Sequence, residues 1–84
     1  MKKITVRYFA SIREAIGAGQ ESVQTTATTL GALRDELIAR GGAHATSLAR
    51  GRAVRMALNQ ALSEESAALV DGAEVAFFPP VTGG

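Results

Sequence analysis

The first apolar pattern along the chain has a period of two. In "KITVRYF", Ile4, Val6 and Tyr8 fall on one face and Thr5, Arg7 and Phe9 on the other, which predicts a half-buried strand. In "SIREAIG", Ser11 and Glu14 have capping-box spacing and Gly17 suits a helix C-terminus, so a short helix should follow. "GQESVQT" then reads as a strand centred on Val23. The period lengthens in "TTLGALRDELIARGG", where Thr29 can cap a helix, Leu30, Leu33, Leu37 and Ile38 repeat at three and four, and Gly41 and Gly42 stop it.

From Ala43 to Arg52 the pattern fades to a helical turn around Leu48. Alternation returns in "AVRMALN", with Val54, Met56 and Leu58 on one face, and "NQALS" reads as a tight turn into a brief strand at Leu62. Asp71 and Gly72 make a turn before a last strand, "AEVAFF", whose Val75 and Phe77 point inward. The expected fold class is therefore α+β, a mixed sheet of about five strands packed on one main helix plus short helices. Ubiquitin-like β-grasp domains match that description. Residues 1–80 are expected to form the domain and 81–84 a flexible C-terminal tail.

Composition narrows the functions available. The 84 residues carry 46% hydrophobic and 20% charged side chains and a formal net charge of +1, an ordinary folded-domain balance. Charges of both signs are dispersed, which gives no reason to expect nucleic acid or a membrane surface as partner. Cysteine is absent, so disulfides, thiolate metal sites and a cysteine nucleophile are excluded. The N-terminus alternates where a signal peptide would be continuously apolar, and a cytoplasmic location fits.

The usual catalytic constellations also fail. His44 is the one histidine and reads as a solvated loop residue, so neither a triad nor a metal site is supported. No Walker pattern is present, since the only lysines are Lys2 and Lys3. Asp35, Glu36, Glu64 and Glu65 read as solvated carboxylates, and Arg50, Arg52 and Arg55 as charges protecting a sheet edge.

Two features do carry chemistry. Alternation puts Glu74, Ala76 and Phe78 on the outer face of the last strand and Phe9 on the outer face of the first. Either a partner covers these aromatics or the 43–52 segment folds over them. After Phe78, Pro79 and Pro80 cannot donate to a sheet and favour a stiff, extended exit. The four residues from Val81 to Gly84 then reach about 13–14 Å beyond Pro80. That length suffices to place a terminal carboxylate inside another protein, with glycines narrow enough to thread. A carboxylate becomes an acyl donor only with a good leaving group, and without an ATP site a partner must supply the activation. The acyl group can then pass to an amine or to sulfur.

The stretches "YFASIRE", "TLGALRDEL", "ALNQ" and "DGAEVAFFPPVTGG" resemble the MoaD sulfur carriers, the small subunits of molybdopterin synthase. Thiamine sulfur carriers share the fold and the terminal glycines but generally lack the Phe-Phe-Pro-Pro run. The resemblance implies a protein that is no enzyme by itself, binds no cofactor stably, and leaves ATP use to an E1-like adenylyltransferase of the MoeB type. Gly84 would be adenylated there and converted to a thiocarboxylate with sulfur from a separate donor protein. Val81, Thr82 and Gly83 would thread the end into a large subunit of the MoaE type, in a heterotetramer of two small and two large subunits. Sulfur would go to cyclic pyranopterin monophosphate. The resemblance assigns docking to Phe9, Leu62 and Phe78, and contact with the activating enzyme to Arg13. A thiamine-type carrier, a ubiquitin-like modifier joined through Gly84 to lysines, and a binding module with an inert tail remain the alternatives.

Overall fold

The computed structural model describes residues 1–80, and the expected tail at 81–84 lies outside them. The chain runs β1 (Lys2–Tyr8), α1 (Ala10–Ile16), β2 (Gln20–Thr25), α2 (Leu30–Ile38), α3 (Gly42–Leu48), β3 (Arg55–Leu58), β4 (Ala61–Ser63) and β5 (Glu74–Phe78). The strands form one mixed sheet in the order β2-β1-β5-β3-β4. Only β1 and β5 run parallel, with Thr5 opposite Glu74 and Tyr8 opposite Phe77. The neighbouring strands are antiparallel.

The alternation read from the sequence sorts the side chains as expected. Ile4, Val6, Tyr8, Val23, Met56, Val75 and Phe77 are buried on one face, against Leu30, Leu33 and Leu37 of α2. Thr29 caps α2, its hydroxyl accepting from Ala32 N at 3.1 Å. Gly17 ends α1 in the left-handed region, at φ 85°, where an L side chain would be strained. Asn59 and Gln60 both take positive φ, which makes the tight β3–β4 hairpin, and Asn59 Oδ1 accepts from Glu74 N at 2.9 Å.

Four expectations need correction. The Ser11–Glu14 capping box does not form: α1 begins two residues earlier, after an extended Phe9, and its N-cap makes no side-chain hydrogen bond. The chain leaves β1 straight into the helix because Phe9 N is already bound to the carbonyl of Phe77. The second correction concerns residues 43–52, which hold a helix, α3, packed on α1 and α2 with Leu48 fully buried. They line the core side and do not cover the outward aromatics.

Third, Asp35, Glu36 and Glu64 are exposed as expected, but Arg50 guards no strand edge and Glu65 is half-buried, and with Arg34 and Asp35 they form a network near α2. Arg34 is 3% exposed, and its guanidinium donates to the carbonyls of Leu48 at 2.8 Å, Ala49 at 2.7 Å and Arg52 at 3.2 Å, closing the end of α3. Glu65 balances its charge at 3.0 Å, and Arg50 bridges Asp35 and Glu65. A buried cation needs this full set of acceptors, and no local periodicity announces it.

Fourth, His44 sits on α3 with its side chain 19% exposed, its Nε2 lying 3.0 Å from Glu21 Oε2 and its ring edge-on to Tyr8. Glu21 also accepts from Arg40 at 2.7 Å and from the Tyr8 hydroxyl at 2.7 Å. Burial opposes the Glu21 charge, but the hydrogen bonds from Arg40, His44 and Tyr8 outweigh it and hold the carboxyl down at about 2. Burial, then the bond to Glu21, raises the Tyr8 phenol above its usual range. A depressed carboxyl stabilises the fold fully above its unfolded value of 4.5, and that contribution disappears as pH falls toward about 2. Urea midpoints measured from pH 7 down to 2 should show about 2 kcal/mol of acid loss, after solvent screening, that Glu21→Gln lacks.

Candidate functional site

The outward face of the sheet carries the site. At its centre, Ala57 of β3 pairs with Ala76 of β5, and Ala76 in turn lies level with Arg7 of β1. Three adjacent strands thus place two methyl groups and one long side chain where larger residues would fill the surface. Around the alanines stand Phe9, Phe78, Pro79 and Pro80, enclosing an open apolar groove of about 660 Å³. Phe9 is 39% exposed and Phe78 half-buried, so the two aromatics assigned to docking meet on one wall system. The parallel pairing of β1 with β5 brings them together although they lie far apart in sequence.

Leu62 occupies the next position outward. It is the register partner of Ala57, on the edge strand β4, and it is 65% exposed. It lines a neighbouring depression with Arg55, and Pro80 borders both hollows. Phe9, Leu62 and Phe78 therefore share one face, and the prolines carry the chain out along its margin. Arg13 is elsewhere: it is exposed in the last turn of α1, where its guanidinium packs over Gly19.

Arg7 was legible only as an outward strand residue. Its guanidinium lies 5.3 Å from the Phe9 ring centroid and 3.9 Å from Glu74 Oε1, while its Nε is buried without a partner among the described residues. A cation over the ring face is attracted to it, which favours this placement of Phe9 beside the groove. The alanine floor was also half visible, since alternation placed Ala76 outward, but its meeting with Ala57 depends on the register between strands.

An exposed apolar hollow of this kind fits an apolar projection from a partner, with the surrounding rim still wetted. Gly84, Gly83, Thr82 and Val81 lie outside the described residues. What the structure does position is their point of departure, at Pro80.

Residues 6–84 match the ThiS family. The chain belongs to that family. The molybdopterin synthase sulfur carrier subunit of Escherichia coli is 42% identical over 81 residues, covering 96% of this chain and 99% of that protein. The resemblance to the MoaD carriers is thereby borne out. Among solved structures, the complex of subunits 1 and 2 of the molybdopterin-converting factor from Helicobacter pylori matches with a TM-score of 0.67 and 26% identity, covering 98% of this chain and 99% of the matched one. Small archaeal modifier protein 1 of Haloferax volcanii matches with a TM-score of 0.78 at 23% identity, covering 96% of this chain and 100% of that one, a likeness of fold. The fold is the ubiquitin-like β-grasp expected from the element order. Among the described residues, no helix is long and apolar enough to cross a membrane.

Proposed function

We propose that this chain is the sulfur-carrying small subunit of a molybdopterin synthase, with Gly84 as its reactive residue. The observation that carries the reading is the near-full-length similarity to a protein of that name, joined to an apolar groove at the root of the tail. In this reading the chain does no chemistry alone. An E1-like partner spends ATP to join the Gly84 carboxylate to AMP, with pyrophosphate leaving; sulfur delivered by a donor at the hydrosulfide level then attacks the carbonyl, the C–S bond forms, the C–O bond to the phosphate breaks, and AMP departs. The product is a thiocarboxylate.

The large subunit supplies the pocket. Its apolar projection seats on Phe9, Phe78 and Leu62, and the prolines direct the tail toward the bound pterin, where one sulfur is delivered per carrier to cyclic pyranopterin monophosphate. Two small and two large subunits form the working assembly. Arg13, away from the groove, is free to contact the activating enzyme while the tail is engaged.

Intact-mass analysis tests this reading. Protein purified from cells containing the activation pathway should include a fraction in which one oxygen at Gly84 is replaced by sulfur. A carboxylate alone under every growth condition, or Gly84 found only in isopeptide links to other proteins, would overturn it.

A further inference from the structure

We propose that the fold keeps every primary amine of this chain away from the end at which Gly84 is activated, reserving the acyl group for an external nucleophile. The inference rests on the function proposed above and adds to it a source of chemical selectivity. An activated acyl group on a short tether is exposed to any amine within the tether's sweep, because intramolecular capture proceeds at a high effective concentration.

The sequence supplies half of the solution. Cysteine is absent, and of the nine Lys and Arg residues only Lys2 and Lys3 are lysines. The others are arginines, whose guanidinium stays protonated and has no lone pair available for acyl attack. A lysine amine, by contrast, releases a reactive free-base fraction near neutral pH.

Topology supplies the other half. Because β1 and β5 run parallel, the residues that open β1 lie at the opposite pole from the residues that close β5. Gly72 N donates to the carbonyl of Lys3 at 2.9 Å, so Lys3 is level with the turn that precedes β5. Gly72 and Pro80 are eight residues apart, with Glu74–Phe78 in strand between them, so they are separated by at most about 26 Å. A tail of about 13–14 Å and a lysine side chain of about 6 Å must both be fully extended toward each other to approach across that length, an arrangement of low effective concentration. Lys2 and the amino group of Met1 lie further off along the same strand direction.

The cations that do border the exit are both arginines. Arg7 lines the groove with Pro79 and Pro80, and Arg55, the register partner of Phe78, lines the adjoining depression with Pro80. Gln60 and Glu74 are the other long polar side chains at the groove, and they carry an amide and a carboxylate, neither of them an amine. Positive charge is thus retained at the exit without a nucleophilic amine.

The test installs the activated end chemically. The full chain released from an intein fusion by a small thiol carries a Gly84 thioester, and dilution excludes reaction between copies. At pH 8 the native sequence should give thioester and hydrolysed acid, with no cyclic product by intact mass. In Arg55→Lys the new amine should attack the Gly84 carbonyl: the C–N bond forms, the C–S bond breaks, and the thiol departs as the amine loses its proton. The expected result is at least a tenfold excess of lactam over the native chain, with the isopeptide mapped to position 55. Gln60→Lys, in an exposed turn, provides a second entry point should Arg55→Lys perturb the edge.

The proposal is overturned if the native chain cyclises through Lys2 or Lys3 as fast as the variants do, or if neither variant cyclises. Since the thioester is made without the cellular pathway, either outcome is independent of whether Gly84 is activated in cells. The intact-mass experiment decides that question separately.

Discussion

Phe77→Ala should cost about 3–5 kcal/mol of folding stability, whereas Phe78→Ala, one residue later, should leave the melting temperature nearly unchanged. Phe77 is fully buried, stacked on Tyr8 with ring centroids 6.3 Å apart, and its removal opens a cavity in the middle of the core. Phe78 faces the groove and has no core neighbours to abandon. Its loss should appear in association instead, weakening binding to the large subunit by about 2 kcal/mol, or about thirtyfold. Thermal unfolding and titration calorimetry on both variants separate the two roles. A large drop in melting temperature for Phe78→Ala would place it in the core and remove it from the docking face.

Deleting Gly83 and Gly84 should reduce sulfur transfer to background while the melting temperature stays within about 2 °C of the full chain. The expectation follows from where the core lies: the buried cluster ends at Phe77, and the hydrogen bonds among the described residues use no group beyond that strand's close. Activity with purified large subunit and a chemically prepared thiocarboxylate measures the first effect, and calorimetry the second. Retained transfer by the truncated chain would show that the two glycines are not needed to present the sulfur. Binding to the large subunit should persist in part, because the groove remains intact, and this distinguishes a lost reactive group from a lost partner.

Strand faces were legible because a strand's alternation is fixed by its own backbone. Ile4, Val6, Tyr8, Val75 and Phe77 could be placed inward from period two alone. The α2 stripe and its Thr29 cap were legible for the same reason, since a helix's face and its first hydrogen bonds are settled within a few residues. At the N-terminus of α1 local reasoning failed, because Ser11 had a competitor it could not see. The hydrogen bond from Phe9 to Phe77, made across the sheet, fixed where the helix begins.

His44 and Arg34 show a second kind of failure. Each looks like an ordinary surface residue beside its sequence neighbours, yet each finds its partners on other elements: Glu21 and Tyr8 for His44, the α3 end and Glu65 for Arg34. Buried polar groups are tolerated only when such partners converge, and convergence is a property of the assembled fold.

The sequence by itself determined which side of each main element is apolar, where the turns and the proline exit fall, and that the chain lacks thiols and has amines only near its start. Those features are local, set by side-chain type and by backbone periods that need no distant contact. Tertiary structure alone decided that β5 enters between β1 and β3, in parallel with β1. That one placement sets Phe9 beside Phe78, pairs Ala57 with Ala76 to open the groove, and sends Lys2 and Lys3 to the far pole from the exit. Strand order and register are chosen by burying the whole inner face at once, so no segment read separately contains them.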